Sequence, residues 1–152
     1  MQPSWRTAAP PLILVVDDEP MMRRLVRRLL PPWCAMLESD SVDGAIRHLV
    51  SSPVAGVISD VHMPGGNAVE LFAWMREHRP SLAARVVFMS GDAGSSEAQA
   101  LIDRGCAVIA KACGRELREA ILAAVPPDDQ GLDARASGVV CIERDAERDV
   151  DR

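Results

Sequence analysis

The sequence predicts an α/β protein with an open parallel sheet that is covered by helices on both faces. Short apolar runs alternate with segments of helical periodicity between residues 11 and 125, in the order βαβαβαβαβα. The apolar runs are rich in β-branched residues and mostly uninterrupted, which indicates strands that are buried on both faces. Ligands of such sheets bind at the carboxyl ends of the strands, so we expect the functional residues there.

Five apolar segments are predicted as the strands. In chain order they are LILVV at 12–16, CAML at 34–37, GVIS at 56–59, VVFM at 86–89 and AVIA at 107–110. Their length and their short spacing along the chain are typical of parallel strands joined by right-handed crossover helices.

Five intervening segments are predicted as helices, at 20–30, 42–51, 67–79, 96–104 and 115–125. The first has Pro20 in its first turn, which suits a helix start. One face of it is apolar and the other basic, the apolar residues being Met22, Leu25, Val26 and Leu29. The third opens with Asn67 and has Glu70 three residues later, a spacing typical of a capped helix start.

The domain is predicted to span residues 11–125, between a flexible segment at 1–10 and an acidic tail at 126–152. The tail follows a Pro-Pro-Asp-Asp step and holds eight acidic residues and four arginines. Since about 40 residues is the usual minimum for an independent fold, these 27 residues are interpreted as a solvated, disordered tail. A docking peptide around its GVVCI stretch is the alternative.

Composition disfavours several classes of protein. The net charge of −5 argues against direct binding of nucleic acid. No apolar run reaches the roughly 18 residues of a membrane span, and the first residues lack the features of a signal peptide. The four cysteines form no CxxC pair, so we interpret them as small apolar residues of a protein in the reducing cytoplasm.

Charged and hydroxyl side chains follow four of the predicted strands. They are the acidic run at 17–19, Asp60, Ser90 and Lys111. Clustered carboxylates repel one another unless a cation intervenes, and oxygen ligands favour Mg²⁺. An ammonium and a hydroxyl beside them suit a phosphoryl group, with a carboxylate as its acceptor. Lys111 is the one lysine among 17 basic residues, which favours a site shaped for an ammonium.

These motifs resemble the receiver domain of two-component response regulators. The resemblance is carried by VVDDEP, by ISDVHMPGG followed by NAVEL, by VFMSG and by the lysine after GCAVIA, over about residues 11–125. VFMSG is especially similar to receivers associated with hybrid histidine kinases. The resemblance implies a flavodoxin-like, doubly wound sheet with strand order 2-1-3-4-5.

The resemblance also implies a role for each site residue. Asp60 would accept a phosphoryl group from a kinase histidine. Asp18, Asp60 and the backbone carbonyl of His62 would ligate Mg²⁺, with Asp17 contributing through water. Ser90 would sense the phosphoryl group and Lys111 would pair with it.

The resemblance implies a signalling protein and not an enzyme, because such a domain promotes only its own phosphorylation and dephosphorylation. Expected partners are a sensor or hybrid histidine kinase or a histidine phosphotransfer protein, docked near Met21, Met22 and Arg23 on the first helix. With no output domain in the sequence, we expect a phosphoryl relay or protein contact as the output. The chain is expected to be a monomer or a weak dimer.

Two departures from the family pattern leave alternatives open. Ala112 stands where the family usually has proline, and Val108 stands where many members have an aromatic switch residue. A degenerate receiver that acts as an unphosphorylated interaction module is therefore the main alternative. His62 and Asp92 lie at positions where the family varies. A haloacid-dehalogenase-type phosphohydrolase is disfavoured, because its nucleophile lies in a DxD motif on the first strand.

Overall fold

The computed structural model describes residues 9–92, 94–111 and 114–124. Its strands are β1 (Leu12–Val16), β2 (Ala35–Ser39), β3 (Val54–Asp60), β4 (His62–Met63), β5 (Gly66–Asn67), β6 (Val86–Ser90) and β7 (Ala107–Ala110). Its helices are α1 (Pro20–Leu29), α2 (Val42–Ser51), α3 (Ala68–His78), α4 (Pro80–Ala83), α5 (Ser96–Asp103) and α6 (Gly114–Ala124). The predicted tail, Ala112 and most of the predicted N-terminal segment lie outside the described residues.

The main sheet has five parallel strands in the order β2-β1-β3-β6-β7. Strands β4 and β5 form a separate two-stranded antiparallel hairpin. The long strands therefore follow the predicted order 2-1-3-4-5, and the predicted fold class is confirmed. Since the order of the strands reverses at β1 and β3, their carboxyl ends flank the crevice where ligands of this fold bind.

The side chains of β1 show how the sheet is covered on both faces. Leu14 and Val16 pack into a cluster with the buried residues of α2, α3 and α5. Ile13 and Val15 point the other way and pack with those of α1 and α6. All four side chains are at most 1% exposed. This two-sided burial explains why the strands show continuous apolar runs and not alternation.

Several element boundaries differ from the predictions. Strand β2 runs over Ala35–Ser39 and not 34–37, because its main chain pairs with β1 as far as Ser39. Helix α1 ends at Leu29, and α3 covers Ala68–His78 and not 67–79. Asn67 is the N-cap of α3, and its side chain accepts hydrogen bonds from the amides of Val69 and Glu70. The capped start predicted for this helix is confirmed.

Three shorter elements were not predicted. The β4–β5 hairpin turns at Gly65, whose φ of 78° favours glycine. Helix α4 is a single turn that begins at Pro80. Elements of two to four residues are too short to show a hydrophobic period, so pattern reasoning does not detect them.

No helix in the described part of the chain is long and apolar enough to cross a membrane. Cys34 and Cys106 are half-buried and not fully enclosed. Burial raises the pKa of the Cys106 thiol, which disfavours its reactive thiolate form.

Candidate functional site

Main-chain hydrogen bonds of the sheet continue past the strand ends and position the charged residues. Asp17, directly after β1, donates its N–H to the carbonyl of Ser39 in β2 (3.0 Å). Lys111, directly after β7, donates its N–H to the carbonyl of Ser90 in β6 (2.9 Å). Asp60 is itself the last residue of the central strand β3. These residues are thus held by the sheet ladder and not by loops alone.

The Lys111 ammonium lies among three carboxylates. Its Nζ is 3.0 Å from Oδ2 of Asp60, 3.3 Å from Oδ2 of Asp17 and 3.8 Å from Oε1 of Glu19. Asp17 is 0% and Asp60 is 3% exposed, whereas Glu19 is exposed. The structure therefore brings the predicted residues Asp17, Asp60 and Lys111 into one cluster. Glu19 is an additional contact that sequence reasoning did not assign, although it stands in the same acidic run.

Burial and charge shift the pKa values in this cluster. Burial raises the pKa of the Asp17 carboxyl above its usual value, and the negative charge of Asp60 adds to the rise. The amide of Glu19 and the ammonium of Lys111 oppose it. Burial alone would lower the pKa of Lys111, but its hydrogen bond to Asp60 and the two carboxylate charges outweigh that effect and raise it. The ammonium form of Lys111 is thus strongly favoured beside the acids.

The acidic run after β1 has the oxygen donors that a hard divalent cation needs. Asp17, Asp18 and Glu19 place one carboxylate oxygen each within 4.8 Å of one another. Oδ1 of Asp17 accepts the N–H of Glu19 (2.9 Å). Its buried Oδ2 lies 3.3 Å from the ammonium of Lys111 and receives no other hydrogen bond from the described residues. A buried carboxylate oxygen beside two exposed acids fits Mg²⁺, which keeps part of its water shell in protein sites.

His62 lies two residues after the end of β3 and contacts both Asp60 and a distant loop. Its backbone N–H donates to Oδ1 of Asp60 (3.3 Å). Its ring Nε2 shares a hydrogen bond with Oγ of Ser95 (3.0 Å), the N-cap residue of α5. Sequence reasoning considered the His62 carbonyl and missed this side-chain contact, because Ser95 is 33 residues away along the chain.

Ser90 ends β6 at the same sheet edge and is 1% exposed. Its Oγ accepts the N–H of Asp92 (3.0 Å), so the hydroxyl is anchored to the loop that follows. Val108 pairs with Phe88 in the sheet register and is half-buried against the core. A β-branched side chain at this position has few rotamers to exchange.

Arg23, which the sequence suggested as part of a docking face, is held within the chain. Its Nη1 donates to the backbone carbonyl of Asp17 (2.7 Å), and its Nε lies 3.4 Å from Oε1 of Glu38. Glu38 also pairs with Arg27 (2.9 Å). Met21 is 76% exposed at the start of the same helix and remains available for contact.

The geometry defines a buried carboxylate, that of Asp60, with both oxygens held. Oδ2 of Asp60 is bound by the ammonium of Lys111, and Oδ1 is bound by the amide of His62. Cationic and acidic groups surround it on neighbouring strand ends. A carboxylate in this arrangement can act as a nucleophile toward a group with anionic oxygens, because hydrogen-bond donors and positive charge lie beside it.

Comparison with known proteins supports the fold and the family resemblance. A family model described as the response regulator receiver domain matches residues 13–122. The nitrate/nitrite response regulator protein NarP of Escherichia coli (strain K12) is 30% identical over 101 residues, which make up 64% of this chain and 46% of NarP. The chain thus spans less than half the length of that relative.

Solved structures show the same fold. A response regulator receiver protein from Pseudomonas putida superposes with a TM-score of 0.66 at 25% identity, covering 77% of this chain and 99% of that chain. The signal receiver domain of an HD domain-containing protein from Pseudomonas fluorescens Pf-5 gives a TM-score of 0.64 at 24% identity, covering 78% and 91%. Since the family model matches most of the described residues, this chain belongs to the response regulator receiver domain family.

Proposed function

We propose that this receiver domain accepts a phosphoryl group on Asp60 from the phosphohistidine of a histidine kinase or a histidine phosphotransfer protein. The observation that carries the proposal is the position of Asp60. It ends the central strand, is 3% exposed, and has its carboxylate 3.0 Å from the Lys111 ammonium. A carboxylate that is held between fixed donors at a sheet edge suits nucleophilic attack on a phosphoryl group.

In the proposed reaction a carboxylate oxygen of Asp60 attacks the phosphorus of the donor. A phosphorus–oxygen bond forms, the phosphorus–nitrogen bond of the donor breaks, and the electron pair returns to the imidazole nitrogen. The product is an acyl phosphate with about −1.5 to −2 charge, by analogy with other protein phosphates. This added charge explains why positive groups are needed beside Asp17 and Asp60.

Mg²⁺ is the proposed cofactor, held by Asp17, Asp18 and Asp60 together with the backbone carbonyl of His62. When bound, the ion supplies positive charge that offsets the repulsion between the carboxylates and the phosphoryl oxygens. Asp17 would contribute through water, and its buried Oδ2 lies 3.3 Å from the ammonium of Lys111. Asp18 contributes an exposed carboxylate from the same turn.

Lys111 and Ser90 are proposed to bind the transferred group. The ammonium of Lys111 already lies against Oδ2 of Asp60, so it needs only a small movement to reach a phosphoryl oxygen. The hydroxyl of Ser90 is on the adjacent strand end and can donate its hydrogen, because its oxygen is the acceptor in its bond with Asp92.

Incubation with acetyl phosphate and Mg²⁺, followed by intact-mass measurement, tests the proposal. We expect one added phosphoryl mass on the parent and none on Asp60→Asn. The matched control is Asp40→Asn, which removes an exposed carboxylate directly after strand β2 at the edge of the same sheet. This control should be labelled like the parent. An unlabelled parent would favour an unphosphorylated interaction module, and labelling of Asp60→Asn would contradict the assignment of the acceptor.

A further inference from the structure

A hydrogen bond between His62 and Ser95 joins two loops at the acceptor site. Nε2 of His62 and Oγ of Ser95 are 3.0 Å apart. His62 opens the hairpin that follows the acceptor strand, and Ser95 is the N-cap of α5. This bond therefore links the segment after β3 directly to the first turn of a helix on another part of the sheet.

His62 also touches the acceptor itself through its main chain. Its N–H donates to Oδ1 of Asp60 at 3.3 Å, which is long for an amide hydrogen bond. A long bond is sensitive to small displacements of the donor. The other oxygen of Asp60 is bound by Lys111, so the amide of His62 is what fixes the rotation of the carboxylate about that contact.

Ser95 is well placed to restrain His62. The ring of His62 is exposed, so its position depends on this hydrogen bond more than on core packing. Ser95 is itself fixed twice, because its Oγ accepts the amide of Ala98 (3.2 Å) and its N–H donates to the carbonyl of Asp92 (3.2 Å). Ser95 therefore has two hydrogen bonds to its own segment besides the one to His62.

We propose that Ser95 is a positioning residue for the Asp60 acceptor, and that it acts by holding the His62 ring and, through it, the His62 amide on Oδ1 of Asp60. This inference rests on the proposed function of Asp60. An acceptor carboxylate with both oxygens held stays near its attacking orientation, whereas one with a free oxygen rotates among several.

The test is the rate at which acetyl phosphate and Mg²⁺ add a phosphoryl mass to the full chain. His62→Phe keeps an aromatic ring and the backbone amide but removes the ring nitrogens, and Ser95→Ala removes the hydroxyl. We expect each to slow labelling by about three- to tenfold, the scale of one lost hydrogen bond. Because both changes break the same bond, the double variant should be no slower than either single one.

Two further variants separate positioning from helix capping. Ser95→Thr keeps a hydroxyl and should restore most of the parent rate. Ser41→Ala removes the equivalent N-cap of α2, where Oγ of Ser41 accepts the amide of Gly44 (3.1 Å). We expect this control to lower stability as Ser95→Ala does and to leave the labelling rate unchanged.

The outcomes distinguish the two proposals. If the parent is labelled on Asp60 and both His62→Phe and Ser95→Ala react at the parent rate, only the role of Ser95 is refuted. Multiplicative losses in the double variant would refute it as well, since they indicate independent effects. If the parent is not labelled, the proposed function fails and this inference fails with it.

Discussion

Replacing Lys111 with methionine tests whether its ammonium balances the buried acids. The substitution keeps a chain of similar length and removes the charge that lies 3.0 Å from Asp60 and 3.3 Å from Asp17. Both carboxylates are almost completely buried, so water cannot easily replace the lost partner. We expect the metal-free variant to be clearly less stable than the metal-free parent.

The expected loss of stability is bounded by two quantities, the attraction between Lys111 and the carboxylates and the cost of protonating one of the acids instead. At an effective dielectric constant near 20, each attraction at these distances amounts to about 5 kcal/mol before desolvation is subtracted. The buried acids have an alternative, because taking up one proton at pH 7 costs a carboxyl of ordinary pKa only about 4 kcal/mol. The ammonium of Lys111 is also desolvated on folding, which further reduces its net contribution to the free energy of unfolding. We therefore expect Lys111→Met to lower the free energy of unfolding by about 3 kcal/mol at pH 7.

Acidification should shrink the difference. At pH 5 the same proton uptake costs only about 1.5 kcal/mol, so the loss caused by Lys111→Met should fall to about that value. The assay is urea unfolding with EDTA at pH 7 and pH 5, followed by circular dichroism. The matched control is Arg85→Met, which removes an exposed cation at the opposite end of the sheet. A loss below 1 kcal/mol at pH 7, or one that grows at pH 5, would refute the reasoning.

Three further results are expected. The pKa of Lys111 is raised in the folded protein, so its stabilising charge is fully present below its ordinary pKa of about 10.4 and is lost as the pH rises through the higher folded pKa. The unfolding free energies of the parent and Lys111→Met should therefore converge as the pH rises past that folded pKa, and a constant gap would contradict this. Phe88→Ala should lower the free energy of unfolding in urea by about 3–5 kcal/mol, because Phe88 is 0% exposed and packs edge-on against Phe72 with ring centroids 6.1 Å apart. Val50→Ala, at a 72% exposed position, should change it by less than about 0.5 kcal/mol. Equal effects would show that the core is not packed as described. Asn67→Ala should lower the free energy of unfolding by about 1 kcal/mol, because the amides of Val69 and Glu70 lose their acceptor. Asn67→Asp keeps a carboxylate oxygen as the acceptor and should retain most of the stability in the same measurement.

The clustering of the charged residues at the strand ends could be predicted from the sequence, because parallel sheets place the carboxyl ends of their strands at one edge. Asp17, Asp60 and Lys111 each stand at the end of an apolar run, and the structure brings all three together. The strand order followed from the family resemblance and is confirmed. In contrast, the end of β2 at Ser39 was missed, because Glu38 and Ser39 are polar and belong to the strand only through pairing with β1.

The sequence alone determined the α/β fold and the residue types at the strand ends, because hydrophobic period and strand direction are local properties of the chain. The residue pattern does not show which of the neighbouring acids of the first strand end is buried. Only the tertiary structure decided that Asp17 is buried and Asp18 exposed, since that depends on how the turn before α1 packs. It also decided that the ring of His62 meets Ser95. Residues so distant in the chain carry no shared pattern, and their contact exists only once the strands between them are paired and the helices packed.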